Sequence, residues 1–292
     1  MSSDNDDNDT DGPAVDPRGE YAGTGIDFAV PHSARIWNYW LGGRDNFEVD
    51  RLAGDAYTAV FPGIVTIARE SRLFLGRVVS YLAGEAGVRQ FLDVGTGLPT
   101  ADNTHEVAQR VAPDARVVYV DNDPLVLAHA RALLTSSVEG ATQYVHEDMH
   151  HPQELLAKAA EVLDLSRPVA VLFMGVLGHV PNLADAHTVV RVLLDAVAPG
   201  SYLAAYDGSA AREAAAFTKA QQEYDDTGAK PYVLRTPTEI ESLFDGLDWV
   251  PPGFVSLPLW RPIDGGLPRI GRAPEPIDAF GGVARKPYAA WI

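Results

Sequence analysis

The stretch from Gln90 to Pro124 constrains this chain most, because it reads as strand, glycine turn, helix, strand and acidic turn. Phe91-Leu92-Asp93-Val94 stops at Gly95-Thr96-Gly97. A helix-like segment from Thr100 to Val111 leads to Val117-Val118-Tyr119-Val120, which ends at Asp121-Asn122-Asp123-Pro124. Two parallel strands joined by a crossover helix bring both strand ends to one edge of a sheet, so the two turns become neighbours. Glycine lets backbone approach a ligand closely, and a carboxylate after the second strand can take both hydroxyls of a ribose. That edge is predicted to hold a nucleoside.

A dinucleotide site would read G-x-G-x-x-G, with its pyrophosphate on the helix N-terminus. Here Thr100 fills the third glycine position behind Pro99, and Asp93 sits two residues before Gly95, where its charge suits an ammonium-bearing ligand. The pattern points to S-adenosylmethionine.

The stretches Phe91 to Thr100 and Val118 to Pro124, with Arg35-Ile36-Trp37-Asn38-Tyr39-Trp40-Leu41-Gly42-Gly43-Arg44-Asp45-Asn46-Phe47 upstream, together resemble an actinobacterial family. It is a family of S-adenosylmethionine-dependent methyltransferases long catalogued as a domain of unknown function. The resemblance covers nearly all of Pro31 to Ile292. It implies an α/β, Rossmann-like class I fold: a seven-stranded, mostly parallel sheet with an antiparallel last strand. It also implies that Asp148, after the third strand, accepts from the adenine amino group while Met149 lines the ring. His179, after the fourth strand, is then a general base or substrate contact.

Three segments are expected: a disordered acidic tail over residues 1–25, a helical lid over 26–86, and the cofactor-binding domain over 87–292. The tail is too polar to offset the entropy of ordering. In the lid, Ile36, Trp37, Trp40 and Leu41 share a helical face, Gly42-Gly43 ends that helix, and a second helix spans Thr66 to Ala83. Arg35, Arg44 and Asn46 are candidates for the cofactor's methionine end, and Tyr39 and Asp45 for the acceptor. Asp93, Gly95, Thr96, Gly97, Asp121, Asn122, Asp148, Met149 and Met174 complete the cofactor set.

The fourth strand is Pro168 to Met174, a continuous apolar run buried on both faces. The fifth is Ser201 to Tyr206, and a helix follows from Ala210 to Thr227, with Phe217 and Tyr224 assigned to packing. The last two strands are expected at Trp249 to Trp260 and Arg285 to Ile292, separated by a Pro/Gly-rich connection.

The net charge of -17 repels nucleic acid and anionic lipid, so a small-molecule acceptor is expected. With no cysteine there is no thiolate zinc site, and adjacent His150-His151 point apart, so no metal is assigned. Neither a signal peptide nor a spanning segment is evident, which makes the cytoplasm the expected location. Two other readings stand beside the enzyme: a non-catalytic binder of the same cofactor, and a nicotinamide-dependent oxidoreductase, which Pro99, Thr100 and Asp93 disfavour.

Overall fold

The computed structural model describes residues 27–99, 102–126, 136–264, 267–268 and 274–288. The expected tail, Thr100 and most of the helix expected after Pro124 lie outside them.

The helices are α1 (Ser33–Trp40), α2 (Glu48–Val60), α3 (Gly63–Gly84), α4 (Thr104–Val111), α5 (Pro152–Ala159), α6 (Leu183–Ala196), α7 (Ala214–Asp225) and α8 (Pro237–Ser242). The main strands are β1 (Gln90–Val94), β2 (Arg116–Asp121), β3 (Ala141–His146), β4 (Ala170–Met174), β5 (Tyr202–Gly208), β6 (Asp248–Trp249) and β7 (Val255–Ser256). A two-residue ribbon, β8 (Ile263–Asp264) with β9 (Leu267–Pro268), stands apart from the sheet, and β10 (Ala279–Arg285) closes it.

The sheet runs β3-β2-β1-β4-β5-β10, with β6 and β7 both paired to the far side of β10. The first five strands are parallel, and β10 runs antiparallel to β5. This is the Rossmann-like arrangement of class I methyltransferases, with its sixth position divided between two short strands. The chain order reverses between β1 and β4. In an open α/β sheet the crevice at such a reversal, beyond the strand C-termini, is where ligands bind.

Alternation along the strands sends Phe91, Val117 and Tyr119 to one face with α3, α4 and α7. Leu92, Val94, Val118 and Phe173 go to the other, with α5 and α6. Each such side chain, fully buried, contributes about 1.5–3 kcal/mol.

The last strand corrects the expectation of Arg285 to Ile292. Gly281 and Gly282 look like loop in the sequence, yet both lie within β10. A Cβ at Gly281 would collide with the Ala205 carbonyl and Tyr206, and one at Gly282 would meet the Gly253 carbonyl and Trp249. Glycine is used there for close packing of neighbouring backbone.

Candidate functional site

The glycine turn and the acidic turn meet directly. Gly95 (φ +72) and Gly97 (φ +67) take the left-handed conformation that glycine allows at no steric cost. The Gly97 amide donates to Asp121 Oδ2 (2.8 Å), and the Asp123 amide donates to Oδ1 (3.0 Å). Each oxygen still has a lone pair for a further donor. Burial pushes the Asp121 carboxyl above its ordinary value. A Cβ on Gly95 would strike Val176, whereas one on Gly97 would stand in open space. That space belongs to a cavity of about 380 Å³, lined by Asp93 to Leu98, Val120 to Asn122, Glu147 to His150 and Met174 to Val176.

Asp93 lies at the inner end of the cradle. It is buried beneath α3 and α4, and Thr104 Oγ1 donates to its Oδ2 at 2.6 Å. Burial raises its pKa to about 6, against the opposing pull of Thr104 and Arg72. At the other end, Asn122 Nδ2 donates to Asp148 Oδ2 (2.8 Å), and His150 engages Asp148 Oδ1 through its amide (3.0 Å) and ring (2.6 Å). Burial pushes the Asp148 carboxyl up, but these hydrogen bonds outweigh it and hold the group at about 2. Met149 lies beside it, buried.

Residues 227–235 cross above the ends of β4 and β5 as a strap. The Val233 amide donates to the Gly178 carbonyl. Arg235 donates to the carbonyls of Leu177 and Val180, and Tyr232 donates to the buried Asp207 (2.8 Å). His179 Nδ1 sits 2.9 Å from the Pro231 carbonyl, which can only accept, so Nδ1 carries the proton and Nε2 the lone pair. Burial lowers the His179 pKa, keeping the ring neutral.

The polar residues expected from the helical region take other positions. Arg35 is buried, with its Nε 3.2 Å from Asp50 and its guanidinium on the carbonyls of Asp27 and Val30. Asn46 bonds Asn38, and Tyr39 donates to Asp55 (2.7 Å). The Asp45 amide donates to Asn38, and Arg44 is exposed. None of the five lines the cavity. Instead α1 presents Trp37, Asn38 and Trp40 to it, and Leu41 follows at its end. The reason is mechanical: Asp50 accepts from the backbone amides of both His32 and Phe47 as well as facing Arg35, which turns the charged side of α1 into the joint with α2.

Beyond Asp93 the cavity continues into a chamber walled by Trp37, Trp40, Tyr57, Ile64, Ile67, Phe217, Gln221 and Tyr224. Phe217 and Tyr224, assigned to packing from sequence, therefore line the site. With Gln221 they fall four and three residues apart on α7, a single helical face, and that spacing was the available signal. Arg72 and Lys230 were also missed, since a lone cation on a helix or loop carries no pattern.

A model of the S-adenosyl methyltransferase family matches residues 19–287. The chain is 43% identical to a solved DUF574 family protein from Streptomyces avermitilis, over 89% of this chain and 99% of that one, with a TM-score of 0.84. It is 40% identical to a solved protein from Thermobifida fusca over 94% and 100% of the two chains, with a TM-score of 0.81. The plantazolicin methyltransferase BpumL, solved with a substrate analogue and S-adenosylhomocysteine, is 13% identical. It shares the fold at a TM-score of 0.50, over 87% of this chain and 95% of its own. A comparison with curated proteins finds no match. The chain belongs to the S-adenosyl methyltransferase family, and S-adenosylmethionine is its cofactor.

Proposed function

We propose that this enzyme methylates a small-molecule acceptor taken wholly into the cavity beneath α1, α2 and α7. The observation that carries the reading is continuity: the nucleoside cradle and the apolar chamber line one space of about 380 Å³. Sites for small organic ligands run to about 300–1,000 Å³.

The residues fit the cofactor. Gly97 leaves open the volume a methyl group would fill, and the carboxylates Asp93, Asp121 and Asp148 suit an ammonium, a ribose and an adenine amine. When bound, the cofactor supplies a methyl group on a sulfonium. In this reading Asp121 accepts from the ribose hydroxyls through its unused lone pairs, Asp93 faces the ammonium, and Asp148 with Met149 holds the adenine. Asn122 steadies Asp148, Thr96 and the two glycines shape the turn, and Met174 closes the end of β4. His179 offers a neutral Nε2 to any acceptor that must lose a proton. Of the expected lid, α1 and α2 act as the cover, which excludes water through the rings of α1 rather than through its charges, while α3 packs on the sheet. Arg35, Asn46, Tyr39 and Asp45 serve the lid's own architecture, and Arg44 is exposed.

Calorimetry with S-adenosylmethionine, S-adenosylhomocysteine and NAD tests the cofactor half of this reading. Saturable binding of the first two and none of NAD is expected, and NAD binding alone would refute it. Release of S-adenosylhomocysteine in the presence of small acceptors tests the other half, and separates an enzyme from a non-catalytic binder.

A further inference from the structure

The apolar chamber has walls of a definite chemistry. Trp37, Tyr57, Phe217 and Tyr224 present rings to it, and Ile64 and Ile67 fill the gaps between them. The rings brace one another: Tyr57 stands edge-on to Trp40 at 5.3 Å and to Tyr224 at 6.2 Å, and Phe217 stacks on Phe61 at 4.4 Å.

Its polar groups are largely engaged with each other. Tyr57 donates to Gln221 Oε1 (3.0 Å), and Gln221 Nε2 donates to Asp225 (2.8 Å). Ser71 donates to the Ala68 carbonyl (2.7 Å). Of the described residues that α1, α2, α3, β5 and α7 contribute to the cavity, Arg72 alone is charged. Arg72 donates to the Asp102 carbonyl (3.0 Å) and lies in the field of Asp93, at the cradle end.

From these observations we infer that the chamber is the acceptor site for a flat, uncharged aromatic molecule, an inference that rests on the methyltransferase reading above. An anion brought here would lose its hydration, and the cavity's cations stand beside the cradle's own carboxylates, Arg72 in the field of Asp93 and Lys230 Nζ 3.9 Å from Asp148. A cation would be favoured by the ring faces, but it would share one cavity with a sulfonium. At an effective dielectric of about 20, two like charges 4 Å apart repel by about 4 kcal/mol. An uncharged ring system avoids both costs and gains from burial against aromatic faces.

Three probes of nearly equal size separate these cases: naphthol, naphthoate and naphthylmethylamine, which are neutral, anionic and cationic at neutral pH. Each is titrated by calorimetry into the full chain saturated with sinefungin, a non-transferring cofactor analogue that carries an amine at the sulfonium position. Naphthol is expected to bind at least about tenfold more tightly than either charged probe. Trp37→Ala and Phe217→Leu are each expected to weaken naphthol about fivefold or more, and by more than they weaken sinefungin. Trp37 is only partly buried, so its variant tests the site even if Phe217→Leu fails to fold.

Equal or tighter binding of a charged probe, or no probe binding while sinefungin binds, overturns the acceptor class and leaves the cofactor reading intact. Unchanged naphthol affinity in a folded variant overturns the location. Failure of sinefungin to bind removes the cofactor reading, and this inference with it.

Discussion

His32 Nδ1 lies 3.1 Å from Asp123 Oδ2, joining the residue that caps α1 to the turn that carries Asp121. The cover over the cavity thereby meets the cradle beneath it. Asp123 Oδ1 accepts from the Leu125 amide (2.9 Å), so the carboxylate serves the turn with one oxygen and faces the cover with the other.

Loss of the His32 side chain should loosen the cover without disturbing the turn, because it removes both the contact with Asp123 and the acceptor of the Ala34 amide at the start of α1. His32→Ala is expected to speed cofactor dissociation and weaken affinity by about 0.5–1.5 kcal/mol, the usual worth of one such interaction. Stopped-flow dissociation measures it. An unchanged off-rate would mean that α1 does not move with the cofactor.

Asp121→Ala is expected to weaken S-adenosylhomocysteine binding by about 1–3 kcal/mol. The variant also deprives the Gly97 and Asp123 amides of their acceptor, so affinity alone does not isolate the ribose contact. A deoxyribose analogue does. Its deficit relative to the ribose form should largely vanish in the variant, and a deficit of wild-type size would refute the assignment.

Cofactor binding should depend on pH through Asp93, whose pKa burial raises to about 6. An ammonium beside it favours the charged carboxylate, so its pKa falls on binding and a proton leaves. Below about pH 6 affinity is therefore expected to drop, approaching tenfold per unit for one linked proton. Calorimetry in buffers of different ionisation heat would register the released proton at pH near 6. Asp93→Asn should abolish it.

Stability has the opposite sign of pH dependence through Asp207, also raised to about 6 by burial. Between the ordinary aspartate value of about 4 and about 6, the folded chain holds more protons at this site than the unfolded one. The contribution is fully present below about pH 4 and is lost as pH rises through about 6. Asp207→Asn is expected to flatten this segment of a Tm-against-pH curve, and an unaltered slope would assign the effect elsewhere.

Arg44 is exposed and lies off the cavity, so Arg44→Ala should change cofactor affinity by no more than about 0.5 kcal/mol. A larger loss would require the segment after Gly43 to fold inward when ligand binds.

The legibility of this chain follows the type of signal each part carries. The cradle was readable because its chemistry is local: Gly95, Gly97 and Asp121 lie within one strand-helix-strand unit whose geometry follows from its spacing. The cover was not, because a helix such as α1 has two candidate faces. Only the distant Asp50, buried against Arg35, decides that the charged one turns inward to α2. The chamber is assembled from α1, α2, α3 and α7, far apart in sequence. No run of residues announces that Tyr57 and Gln221 will share a hydrogen bond. The last strand was misplaced because Gly281 and Gly282 carry the composition of a loop, and the reason for them lies on neighbouring chain segments.

The strap over residues 227–235 is bolted down at the carbonyls of Leu177 and Val180, at Asp207 and at Gly178, all of them buried. Releasing it means breaking several internal bonds together, whereas the opposite rim meets the cradle at the partly exposed His32. If ligands enter on that N-terminal side, turnover can be no faster than the opening of that side, however fast the methyl moves.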